Sequence, residues 1–219
     1  MIWRITLFLW IAVAMIVALL KAPLVPVLAE TTRVLYFHIP SAWVTVVALG
    51  WSMVHSILYL WKRDLRNDDH AAAAAELGLL FCIAATISGA MWAKAMWGAY
   101  WNWDPRETSI FFILLLYSAY LALRASIEGE EKRARLSAIY SVAAFVAVPF
   151  LVFVVPRMYD SLHPNLVVRE GGRTKIDMDP MIRWCFLAML AGFTVLFVWM
   201  QTLRVRVTRL ERRQQLARG

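Results

Sequence analysis

Cysteine is nearly missing from this chain: Cys82 and Cys185 are the only two in 219 residues, and no Cys-x-x-Cys pair exists. Each stands alone inside an apolar run, which excludes a thiol relay and reads as a small buried hydrophobe. Glycine is scarce as well, with nine residues. No Gly-x-x-x-x-Gly-Lys-Ser/Thr stretch is present to cradle nucleotide phosphates, so the chain is not itself a P-loop ATPase. Acidic residues number 15 against 23 lysines and arginines, leaving a formal net charge of +8.

Apolar side chains fill the space instead. The sequence is 61% hydrophobic with a mean hydropathy of +0.60, whereas soluble domains are nearer half apolar. Six apolar runs approach the roughly 17–25 residues needed to cross a bilayer: Ile5–Leu20, Ser41–Trp61, Ala71–Met91, Thr108–Leu123, Leu136–Val155 and Trp184–Leu203. The first and fourth are short and borrow from their flanks. Backbone in hydrocarbon must satisfy its hydrogen bonds internally, so such runs are helices. The expected fold class is all-α, an integral membrane protein with six transmembrane helices in one domain over residues 1–203.

Orientation follows from the basic residues. Lys62, Arg63 and Arg66 follow the second run, and Arg124, Lys132, Arg133 and Arg135 separate the fourth from the fifth. Arg204, Arg206, Arg209, Arg212, Arg213 and Arg218 fill a tail over residues 204–219. With Arg4 they mark one side as cytoplasmic and place both termini there, although Arg169, Arg173 and Lys175 blur the last outer loop. The positive-inside bias accounts for the net charge, with anionic membrane lipid as the partner and no role for nucleic acid. Val27-Leu28-Ala29 resembles a signal-peptide cleavage site, but the preceding apolar run is longer than the usual h-region, and retention as a first span is expected.

Against this background Trp97–Ser109, WGAYWNWDPRETS, stands out on the outer side between the third and fourth runs. Asp104, Pro105 and Glu107 have a structural explanation: an N-cap, a proline at the first helical position and a capping-box partner, so the fourth helix should begin at Pro105. Interfacial tryptophans are common at membrane rims, and Trp3, Trp10, Trp43, Trp51, Trp61 and Trp199 fit that pattern. Trp92, Trp97, Tyr100, Trp101 and Trp103 instead concentrate in one connection, flanked by Lys94 and Arg106. An aromatic platform edged by cations suits a flat apolar ligand that bears carboxylates.

Four histidines complete the inventory. His70 is expected to be solvated in the charged inner loop. His55 falls in the second run, where a neutral imidazole bonded to a neighbouring helix is the simplest reading. His38, just ahead of the second run in Tyr-Phe-His-Ile-Pro, and His163, in the last outer loop, share the layer of the tryptophans. Neutral imidazole is a standard axial ligand for haem iron. Stacking rings, a basic rim and two imidazoles together suit a flat iron macrocycle with two carboxylates.

The run Trp-Gly-x-Tyr-Trp-x-Trp-Asp-x-Arg-x-Thr-Ser resembles the tryptophan-rich signature of the haem-handling proteins of cytochrome c maturation. Val34–Ala42, VLYFHIPSA, resembles the first outer histidine segment of one branch, the haem exporter protein C (CcmC) family of bacterial inner membranes. The likeness implies that His38 and His163 are bis-histidine axial ligands to haem b. It further implies that Trp97, Gly98, Tyr100, Trp101, Trp103, Asp104 and Arg106 form the haem-binding motif in the periplasmic loops. On this likeness the protein presents haem for covalent attachment to a periplasmic chaperone (CcmE), beside a small single-helix partner (CcmD) and an ABC transporter (CcmA with CcmB). Asp-Pro-Arg-Glu-Thr is equally similar to the larger haem lyases and second-system synthetases, but the chain lacks their extra spans and large outer domain.

The chemistry expected is holding and orienting. Lys94, Arg106 and Arg157 are the candidate propionate partners, and positioning alone supplies much of a rate. No nucleophile or acid–base pair of this chain is required, so no catalytic residue is assigned. A transporter that carries haem across the bilayer would need ligating groups along the helices, where only His55 and Glu76 stand. A purely structural subunit would leave the outer histidines beside the clustered indoles unexplained.

Overall fold

The computed structural model describes residues 2–25, 28–163, 167–170, 173–176 and 179–218. It contains α1 (Ile2–Leu20), α2 (Leu35–Lys62), α3 (Leu65–Trp97), α4 (Pro105–Ser126), α5 (Glu130–Pro149), α6 (Val155–Met158) and α7 (Pro180–Arg218). A 3-10 turn, Ala29–Val34, leads into α2, and a π-helical turn, Phe150–Val154, joins α5 to α6. Counting α5, the π turn and α6 as one span, six helices are long and apolar enough to cross a membrane. They match the six expected runs, and α1 and α4 gain the flanking residues those runs lacked. The last loop adds one feature that the apolar pattern did not reveal: β1 (Val167–Glu170) pairs antiparallel with β2 (Arg173–Ile176), with Val167 opposite Ile176. Val27 and the side chains of Arg169, Arg173, Lys175 and Arg218 lie outside the described residues.

Small residues let the central helices approach closely. Ala71, Ala73, Ala74 and Ala75 of α3 are all buried, and a methyl group placed on Gly78 would meet Leu49 of α2 at 2.5 Å. Backbones separated only by such residues gain dispersion contacts that a lipid tail cannot match. Arg63 and Asp64 make the sharp turn between α2 and α3. Arg63 closes α2 in the left-handed conformation, and the Asp64 carboxylate caps α3 by accepting from Arg66 N at 2.9 Å. Helix α2 also packs on α5 and α7, while α1 packs on α7. The Ser52 and Ser141 hydroxyls meet at 3.1 Å across the α2–α5 contact. Phe8, Val146 and Trp184 point outward and are exposed, as a lipid-facing surface requires.

One end of the bundle is basic. The start of α1 meets the C-terminal half of α7 there, with Trp3 against Trp199 at 5.7 Å and the Arg4 guanidinium 5.8 Å from the Trp199 ring. Asp68 and Asp69, both buried, are neutralised by Arg124 at 2.7 Å and Arg212 at 2.6 Å. Glu76 pairs with Arg204 at 2.6 Å. A buried carboxylate is tolerated only when paired in this way.

His70 corrects the expectation of a solvated loop residue. It lies on α3, its ring stacks on His55 at 4.8 Å, and its carbonyl accepts from Gln201 Nε2 at 2.8 Å. The capped, ion-paired start of α3 carries it into the bundle. His55 lies 3.2 Å through Nδ1 from Asn67 Oδ1, a neighbouring-helix partner as expected. Cys82 and Cys185 are buried free thiols.

Candidate functional site

The opposite end of the bundle is aromatic, and the local sequence explains how. Helix α3 stops at Trp97 because Gly98 takes φ +81° and donates its N–H to the Lys94 carbonyl at 3.1 Å. Glycine adopts this left-handed cap without the steric cost other residues bear. The Lys94 ammonium bonds back to the Gly98 carbonyl at 2.7 Å and lies over the Tyr100 ring at 5.6 Å. Helix α4 begins at Pro105 with Asp104 as N-cap and a full capping box through Glu107, as the Asp-Pro-x-Glu spacing indicated. The Glu107 carboxylate accepts from Asn102 N at 2.7 Å and from Asp104 N at 3.3 Å.

Asp104 does more than cap. Its carboxylate accepts from Arg106 N at 2.9 Å, from Ser161 Oγ at 2.9 Å and from Leu162 N at 2.7 Å, and meets His163 Nδ1 at 3.0 Å. One buried carboxylate thus ties the start of α4 to the loop that follows α6. Burial alone would raise its pKa, but the N–H groups of Arg106 and Leu162, the facing His163 and the Ser161 hydroxyl outweigh that and hold it below the usual carboxylate range. Burial pushes the His163 imidazole down to about 4, against the pull of Asp104. A neutral ring facing a carboxylate donates through Nδ1–H, which leaves Nε2 with the lone pair.

His38 reaches the same state by another route. It lies inside α2, within the first turn rather than ahead of the helix, because the 3-10 turn starts the helical path early and Pro40 is absorbed near the N-terminal end. Its Nδ1 is 3.0 Å from the Ala85 carbonyl and 3.2 Å from Ser88 Oγ, both on α3. Nδ1–H donates to Ala85, and again Nε2 keeps the lone pair. Gly89 leaves room for the ring: a Cβ there would sit 2.8 Å from His38 Cε1.

His38 and His163 line one cavity of about 870 Å³. Trp92, Arg106 and Arg157 share its wall, and Thr45, Ile113, Leu151 and Val152 line its depth between α2, α4 and the π turn. The volume falls in the range of small-molecule sites, mostly apolar with a few convergent polar groups. Imidazoles whose other nitrogen is anchored to a carboxylate or a carbonyl are the usual arrangement of metal-ligating histidines.

The tryptophan stretch divides into two groups around this cavity. Trp92 faces it, and Trp97 backs both Trp92 at 4.8 Å and His163 at 5.0 Å. Trp92 is fixed in turn by donating Nε1–H to Thr31 Oγ1 at 3.2 Å. Trp101 and Trp103 form an edge-on pair at 5.8 Å, each against Phe111, and do not line the cavity. Tyr100 and Trp103 are exposed, and Trp103 is held at φ +56°. Of the three candidate cations, Arg106 and Arg157 border the cavity and Lys94 does not.

Ala85, Ser88, Gly89, Ser161 and Thr31 also build the site, and no motif in the sequence marks them. The Ala85–Gly89 spacing of small residues on α3 was the available signal, since it clears one helix face for a ring.

Comparison with known proteins gives a consistent result. The family described as Heme exporter protein C matches residues 1–218. A Heme exporter protein C of Bradyrhizobium diazoefficiens is 32% identical over 185 residues, covering 84% of this chain and 68% of the relative. That of Rhodobacter capsulatus is 31% identical over 227 residues, covering 95% and 91%. The Escherichia coli K12 protein of the same name is 27% identical over 206 residues, covering 90% and 81%.

Proposed function

The chain belongs to the Heme exporter protein C family, and from that premise we propose that it holds haem at the aromatic end of its helix bundle and presents it during cytochrome c biogenesis. The observation that carries this reading is that His38 and His163 line one cavity with Nδ1 of each ring already engaged.

Haem is the cargo, bringing an iron with two axial positions, a flat apolar ring and two propionates. His38 Nε2 and His163 Nε2 are the axial ligands to haem b. Two imidazoles saturate the iron and suppress oxygen chemistry. Trp92 bounds the ring space and Trp97 stiffens the His163 side. Arg106 and Arg157 receive the propionates, and both keep the planar fork that pairs carboxylates best. Asp104 orients His163, Gly98 ends α3 so that the loop can turn, and Tyr100, Trp101 and Trp103 form the outer rim of the motif.

In this proposal the aromatic end faces the periplasm from a bacterial inner membrane, and the basic end faces the cytoplasm. The rim offers haem to the periplasmic chaperone CcmE, and CcmD, CcmA and CcmB complete the assembly and supply its ATP hydrolysis. The alternative of haem transport through the helices is less well supported. His55 and Glu76, the polar groups such a path would use, are engaged by Asn67 and Arg204.

The test is the visible absorption spectrum of haem-loaded protein beside His38→Ala and His163→Ala. A low-spin two-imidazole spectrum that becomes one-ligand in each variant is expected. Unchanged spectra in both variants overturn the ligand assignment, and no haem uptake by the parent protein overturns the function.

A further inference from the structure

The basic end carries a second cavity, of about 610 Å³, between the end of α2 and the start of α5. Arg63, Lys132 and Arg135 line it, with Tyr59 beneath and Leu136 and Ile139 along one wall. Neighbouring arginines are spoken for: Arg124 by Asp68, Arg204 by Glu76, and Arg209 and Arg212 by Asp69. Arg63, Lys132 and Arg135 have no ion pair among the described residues. Glu131 at the edge offsets one of these charges, and its carbonyl accepts from the Tyr59 hydroxyl at 3.3 Å, bridging the two helices under the cavity. Arg63 occupies a left-handed C-cap at φ +57°, where glycine would serve without strain, so the cation is kept at a steric cost.

Leu136 and Ile139 are 39% and 49% exposed on the outward face of α5. A cluster of cations above an exposed apolar wall, at the end of a membrane-spanning bundle, matches the two chemistries of a phospholipid. We propose that this cavity binds the phosphate headgroup of an anionic phospholipid, with its acyl chains along Leu136 and Ile139. The bound lipid bridges α2 and α5 at the basic end, remote from the two histidines.

The full-length protein in detergent is equilibrated with equal amounts of phosphatidylglycerol and phosphatidylcholine, and the lipid retained is counted by native mass spectrometry. Preferential retention of phosphatidylglycerol is expected, falling about fivefold per cation removed in Arg63→Gln, Lys132→Gln and Arg135→Gln. Arg135→Lys should retain it, and circular dichroism identifies any variant that fails to fold, in which case the remaining single variants decide. Equal retention of the two lipids, or unchanged retention in all folded glutamine variants, overturns the proposal. Displacement of the lipid by millimolar inorganic phosphate also overturns it and assigns the cavity to a soluble phosphate.

Discussion

Replacing Asp104 with alanine removes its capping-box contact with the Glu107 backbone and four further acceptor contacts: those to Arg106 N, Ser161 Oγ, Leu162 N and His163 Nδ1. Two consequences separate by size. Loss of an N-cap costs helix α4 about 1 kcal/mol, which a six-helix bundle survives. Loss of the partner that fixes a ligating imidazole weakens metal affinity by roughly 10–100-fold, or about 1.4–2.7 kcal/mol of binding. Asparagine gives a milder and more informative change. Its amide group can replace Oδ2, where the Ser161 hydroxyl can rotate to accept, while its oxygen stays opposite Arg106 N and His163 Nδ1. Only the Leu162 N–H is then left facing a donor, so Asp104→Asn should weaken haem binding by less than about tenfold. The assay is a haem titration followed in the Soret band, with circular dichroism melts as the folding control. Parent-like affinity in Asp104→Ala would refute the argument that this carboxylate orients His163. So would equal losses in the alanine and asparagine variants.

Other consequences follow from the same geometry. Gly89→Ala places a methyl group 2.8 Å from His38 Cε1; it should shift the ring and abolish the two-imidazole spectrum at a stability cost of about 1–3 kcal/mol, measured by thermal melt and absorption together. Gly98→Ala meets no atom within 4 Å but keeps φ +81°; the left-handed strain of about 1–2 kcal/mol should lower melting temperature, and because Gly98 sets the turn directly after Trp97, haem affinity should fall with it. Asp69→Asn leaves Arg209 and Arg212 without their buried carboxylate; the loss is about 1–3 kcal/mol, below the fully buried limit because both arginines are partly exposed, and the haem spectrum should be unaffected.

Much of this architecture is legible in the sequence because hydrocarbon leaves the backbone few options. Apolar runs of spanning length became the six spanning helices, and Asp104, Pro105 and Glu107 marked the start of α4 to the residue. What the pattern concealed was the behaviour of charged or proline-containing ends. Pro40 looks like a boundary, yet α2 absorbs it and carries His38 inside the helix. The charged run before His70 looks like a loop, yet ion pairs to Asp68 and Asp69 bring it into the bundle. The tryptophan cluster was visible as a cluster, but its division was not. Which rings face the cavity depends on the backbone turns at Gly98 and Trp103 and on the Thr31 anchor of Trp92, none of which residue spacing specifies. Asp104 was legible as a cap, whereas its grip on His163 depends on a loop returning 57 residues later to meet Ser161.

The central claim is that one iron is held by His38 and His163 together. Its most direct test is the low-temperature electron paramagnetic resonance spectrum of the ferric, haem-loaded protein, taken beside His38→Gly and His163→Gly with and without added imidazole. A low-spin two-imidazole signal is expected in the parent, a high-spin signal in each variant, and return to low spin when imidazole fills the space left by the missing ring. A high-spin parent, or a variant whose low-spin signal persists without imidazole, would contradict the claim.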